Sequence, residues 1–180
     1  MASVFDCANF FIDIANSTDD DNMTNMKVNK LLYYAQGTHL ARTGKPLFKE
    51  AIKAWEHGPV IPQVYNKYSV CGRQPIEQAD EGYSSQVFTC DELSTLLDVM
   101  SEFGKYTGST LRKMTHENGT PWANAYVKDK SNVIPLRTIR LFFQEHPVKK
   151  WEPSTDIPHV KVLPKELYNP EEDAIWESCR

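Results

Sequence analysis

The 180-residue sequence contains no stretch near the roughly 18 consecutive apolar residues of a membrane-spanning helix, so none is expected. It has no H-E-x-x-H, no G-x-S-x-G and no glycine-rich phosphate loop, which removes the usual signatures of a zinc peptidase, a serine hydrolase and a nucleotide-binding enzyme. Its four cysteines, Cys7, Cys71, Cys90 and Cys179, form no C-x-x-C pair. That spacing argues against a zinc knuckle and a redox motif, and they read as reduced thiols. There is no basic surplus either: 20 Lys and Arg stand against 24 Asp and Glu, for a net charge of −4. Sequence-specific DNA binding is therefore not expected. The first residues lack a basic region, and Asp6 and Asp13 interrupt the apolar core that a signal peptide needs. The simplest location is cytoplasmic. Neither a metal nor a cofactor is called for.

What is present is an ordinary globular composition, 41% hydrophobic and 24% charged, in a length that suits one domain and an appendage. Val4, Ala8, Phe11, Ile12 and Ala15 keep helical spacing and predict a first amphipathic helix, followed by a polar loop over Asn16 to Asn22. A second helix is predicted from an N-cap at Thr24 to Gly44, apolar on more than one face and so central. From Pro46 to Val60 the pattern is short and extended, with a turn at Gly58-Pro59. Ile61 to Tyr68 predicts a short helix. Val70 to Phe88 reads as an exposed loop that has room for a small hairpin. Thr89 and Glu92 form a capping box that opens a helix running to Gly104. Thr110 to Thr115, Pro121 onward and Leu136 to Phe143 complete a mainly α fold, a compact helical domain with a few short strands. Beyond His146, prolines recur at 147, 153, 158, 164 and 170, which forbids a long helix and predicts an extended tail. The expected organisation is a domain over residues 1–146 and a tail over 147–180.

Three groups of residues recur in one order: Lys30-Leu31-Leu32-Tyr33-Tyr34-Ala35-Gln36-Gly37, then Gly44-Lys45-Pro46-Leu47-Phe48, then Ala54-Trp55-Glu56-His57-Gly58-Pro59-Val60. With Thr115-His116 and Pro121-Trp122 downstream, separated by one residue more than the family's spacing, this order resembles the Panacea domain, also called the SocA-like antitoxin domain or GepA-type phage-associated domain. The resemblance spans roughly residues 3 to 146. It implies a non-enzymatic antitoxin that neutralises a cognate protein toxin, by direct binding or by presenting it to an ATP-dependent protease. Such a protein stands beside its toxin in bacterial or prophage genomes.

The chemistry-bearing residues admit several readings. Glu56, His57 and His116 carry the ingredients of acid-base catalysis, and a hydrolase built on them is the alternative to an antitoxin. A prophage accessory protein acting on a host factor is a third reading. The bland account, preferred for both histidines, has His57 bracing the Gly58-Pro59 turn, His116 bonding a buried carbonyl, and Trp55 and Trp122 anchoring the core. His39, on the apolar stripe of the second helix, reads as a satisfied core histidine. Tyr33, Tyr34, Tyr65 and Tyr68 offer an aromatic surface, although half or more are expected in the core. Such a surface is compatible with a homodimer. Lys27, Lys30, Lys45, Lys49, Lys53 and Lys67 read as a solvated face. In the tail, Trp176 sits in an acidic surround typical of a docking segment. The candidate partner-binding residues are thus Tyr34, Trp55, Glu56, His57, His116, Trp122 and Trp176.

Overall fold

The computed structural model describes residues 2–18 and 23–152, and the chain divides into two units, Met1–Lys149 and Lys150–Arg180. From residue 153 onward the expected extended tail, with Trp176, lies outside the described residues. In the first unit a central helix, α2 (Asn25–Thr43), carries the rest of the fold. Its ends are where local chemistry puts them: the Thr24 side chain accepts from Lys27 N, and Gly44, at φ 73°, closes the helix through its N–H to the Leu40 carbonyl. Around it pack α1 (Val4–Ser17), α3 (Pro62–Lys67), α4 (Cys90–Phe103), α5 (Gly108–Thr115) and α7 (Leu136–Glu145). The short α6 (Pro121–Ala125) lies against α7. The capping box of α4 is formed in both directions between Thr89 and Glu92. Thr107 and Thr120 cap α5 and α6 through their hydroxyls alone, accepting from Thr110 N and Ala123 N, with Pro121 at the first helical position of α6.

The extended segments form one small antiparallel sheet in the order β2-β1-β3, from β1 (Lys53–Trp55), β2 (Gly58–Val60) and β3 (Asn132–Val133). Trp55 pairs with Gly58, so the hairpin turn is Glu56-His57 and not the expected Gly58-Pro59. Proline can sit inside β2 because that strand is an edge of the sheet. Gly58 has φ 100°, and a Cβ there would lie 2.7 Å from Lys30 Cε and 3.0 Å from Thr115 Oγ1. Glycine is required at that position both by backbone conformation and by the closeness of α2 and α5. Residues 70–88 hold two 3-10 turns and a single bridge between Thr24 and Pro75, with no hairpin. Ile76 anchors this stretch, buried, with its N–H bonded to the Met23 carbonyl.

The central helix is not apolar all round. Asn25, Asn29, Lys30, Gln36, Thr38 and His39 are all buried along it, a cost that is met only if each finds partners. They do so by holding the non-helical segments in place. Asn29 Oδ1 accepts from Ile61 N at 2.9 Å, and Asn25 Nδ2 donates to the Tyr65 carbonyl at 2.9 Å. Gln36 accepts from Leu47 N at 2.8 Å and Phe48 N at 3.2 Å while its amide donates to the Phe48 carbonyl at 2.9 Å. Lys30 Nζ donates to the Pro59 carbonyl at 2.9 Å. The expected solvated lysine face is therefore corrected at two positions: Lys27 and Lys30 are each 1% exposed, because a central helix has no solvent side. His39 is buried and pairs with the Thr95 hydroxyl at 3.3 Å, as a satisfied core histidine should. Cys7 and Cys71 are free thiols. No helix among the described residues is long and apolar enough to cross a membrane.

Candidate functional site

Two places bring chemistry-bearing side chains together, and they share Thr115. The first is a cavity of about 250 Å³ between α2, α4, α5 and α7, lined among others by Tyr33, Tyr34, Phe103, Met114 and Phe143. Its aromatic wall is ordered by ring contacts. Tyr34 stacks on Phe103 at 4.0 Å, and both Tyr33 and Tyr34 meet Phe143 edge-on at 5.6 and 5.8 Å. Gly37 makes this wall closable: a Cβ there would fall 2.2 Å from the Phe143 ring. Glu102 and Glu117 also line the cavity, with His146 and Lys149. The phenol of Tyr34 is pushed well above its ordinary range, first by burial and then by the charge of Glu117. The Tyr33 hydroxyl is buried with no hydrogen-bond partner.

The second place is the hairpin and the end of α5. Trp122 donates its indole N–H to the Trp55 carbonyl at 2.8 Å. Its other contacts are faces: His116 lies on it at 3.7 Å and 10°, and Tyr126 at 4.7 Å and 17°. Trp55, half-buried, meets exposed Tyr65 edge-on at 5.2 Å and donates its indole N–H to the Ser131 hydroxyl at 2.7 Å. The loop between the helices is closed by Thr120, whose hydroxyl donates to the Thr115 carbonyl at 2.7 Å. Positive groups collect around it. Burial pushes Lys30 down to about 7, with Arg112 adding to the shift. Burial pushes His116 down to about 4, helped by Arg112, Lys30 and His57. Neither His116 Nε2 nor Arg112 Nε has a partner, though both atoms are buried.

The structure thus joins Trp55, His116 and Trp122 in one cluster and places Tyr34 in the cavity. Glu56 and His57 stand exposed at the hairpin turn, and among the described residues neither ring nitrogen of His57 has a hydrogen-bond partner. The expectations that His57 braces the turn and that His116 bonds a carbonyl are both corrected. A two-residue turn points its side chains to solvent, and His116 is held by stacking instead. Among the described residues, no group of three or more His, Cys, Asp and Glu side chains could hold a metal ion. Tyr33, Glu102, Phe103, Glu117 and Phe143 were missed as site residues. Tyr33 stood in the Lys30–Gly37 motif, but nothing in the sequence sets Glu102 and Phe143 beside it.

The model of the family described as "Antitoxin SocA-like, Panacea domain" matches residues 28–123, more than half of the chain. That span holds every residue of the three motifs and of Thr115 to Trp122. It is narrower than the expected 3 to 146, and it leaves out α7 and with it the Phe143 wall of the cavity. The "Antitoxin SocA" of Caulobacter vibrioides (strain NA1000 / CB15N) is 30% identical over 131 residues, 64% of this chain. The aligned region is 65% of that relative's length. No solved structure matches. The chain belongs to the SocA-like, Panacea domain family.

Proposed function

We propose that the chain is the antitoxin of a toxin-antitoxin pair and neutralises a cognate protein toxin by binding it directly. The observation that carries this reading is the family match together with a curated relative whose name is that of an antitoxin. The aromatic cavity and the adjoining Trp55, His116 and Trp122 cluster support it, since large rigid rings with polar tips are the usual anchors of protein interfaces. Binding is favoured over hydrolysis by two features. Glu56, His57 and His116 do not line the cavity. A histidine held near 4 is also poorly matched to general-base work at neutral pH. Delivery of the toxin to an ATP-dependent protease is compatible with the same surface and would follow from, not replace, direct binding. The reading has the chain acting where its toxin is made, in the cytoplasm. The test is co-expression of the full chain with the product of the adjacent gene. Restored growth with co-purification of the two proteins is expected; a toxic neighbour whose effect persists would reject the reading.

A further inference from the structure

The cavity is small and apolar over most of its wall, and two carboxylates, Glu102 and Glu117, stand among its polar positions. About 250 Å³ falls below the range that encloses a drug-sized ligand, on the order of 300 Å³ or more, but suits one long side chain. Its polar positions are unequal in sign. Glu102 and Glu117 have no ion-pair partner among the described residues, and Lys149 is the one lysine of the lining. His146 is occupied, stacked on Phe142 at 4.4 Å with Nδ1 at 3.0 Å from the Phe142 carbonyl. The Tyr33 hydroxyl, on a residue 1% exposed, lacks the hydrogen bond that a buried phenol ordinarily makes.

We propose that this cavity is a socket for an arginine side chain of a protein partner. The methylene stem lies against the Tyr34–Phe103 stack. The guanidinium faces Glu102 and Glu117. Arginine fits better than lysine because its planar fork carries five donors, stacks on aromatic faces and is more weakly hydrated than an ammonium. Charge complementarity decides the occupant: an acidic partner residue would meet two like charges, and a purely apolar one would leave both carboxylates without a counter-charge. The proposal rests on the antitoxin reading for its partner but concerns a separate feature, the identity of the inserted residue.

The test uses the full chain in two arms. In the first, nuclear magnetic resonance follows titration with the acetyl methylamides of arginine, lysine and norleucine. The arginine compound is expected to bind about tenfold more tightly than the norleucine one, shifting the signals of Tyr34 and Phe103. The variant Glu102→Gln/Glu117→Gln is expected to lose that preference. Equal binding of norleucine or lysine, an unchanged preference in the variant, or no binding of any of the three would overturn the socket. In the second arm the variant is compared with the natural chain for affinity to the neighbouring gene product, and a loss of about tenfold is expected. Undiminished affinity would reject the socket and leave the antitoxin reading standing. If the natural chain does not bind that product, the antitoxin reading fails while the amide titration still decides the socket.

Discussion

The imidazole of His116 lies 3.7 Å from the indole of Trp122 with the two planes 10° apart, and that stack holds a neutral histidine. Burial, with Arg112, Lys30 and His57 nearby, sets its proton affinity near pH 4, against 6.5 for the free group. Between those values the unfolded chain binds a proton that the folded chain refuses, so stability falls as pH drops from about 6.5 toward 4. Replacing His116 with Phe keeps a stacking ring and removes the titration. The variant's melting temperature should fall less between pH 7 and pH 4.5 than that of the natural chain. His39, also held low by burial, acts in the same direction, so the slope shrinks without vanishing. Parallel curves for the two proteins would contradict the assignment.

Lys30 makes the mirror prediction on the alkaline side. It is buried beneath the hairpin and its affinity is lowered from 10.5 to about 7. From pH 7 upward the folded chain has released a proton that the unfolded chain still holds, so stability rises with pH through this window. The buried thiol of Cys7, pushed well up by desolvation, opposes that rise above about pH 9, which confines the clean comparison to pH 7 to 8.5. Denaturant midpoints should increase over that interval in the natural chain and stay level in Lys30→Met. An equal increase in both proteins would mean that another group is responsible.

Gln36 ties residues 47–48 to the central helix through three hydrogen bonds, and it is fully buried. Gln36→Leu leaves two backbone N–H groups and one carbonyl unpaired in the interior. A cost of about 3 kcal/mol follows from such losses. Urea unfolding measures it; a change below about 0.5 kcal/mol would show that the segment finds other partners.

Gly37 is needed because α7 comes close, with the Phe143 ring where a Cβ would stand. Gly37→Ala should therefore destabilise by about 2 kcal/mol even though alanine is the better helix former. Pairing it with Phe143→Leu should recover part of that loss, so the double-mutant cycle returns a nonzero coupling. Strict additivity would place Phe143 out of reach of Gly37.

Much of the fold is written locally. Thr24, Gly44 and the Thr89–Glu92 box mark helix ends through bonds made within a few residues, and the sequence pattern places those ends correctly. The hairpin turn was misplaced by two residues because Gly58-Pro59 reads as punctuation, whereas the positive φ of Gly58 serves the first residue of an edge strand. Lys30 looked solvated because burial depends on what packs around the helix, which periodicity does not contain. The candidate site was legible only in part. Trp55, His116 and Trp122 belong to motifs and do meet, while the cavity joins Tyr33, Glu102 and Phe143 from three distant helices. Only the tertiary arrangement brings those together.

The central claim is direct recognition of a protein toxin, and the most direct test is calorimetric titration of the purified full chain with the purified product of the adjacent gene. A saturable complex with a dissociation constant below about 1 μM, matched by restored growth in cells producing both proteins, is the predicted result. No complex at tens of micromolar, with a neighbour that is toxic and remains so, would contradict the account.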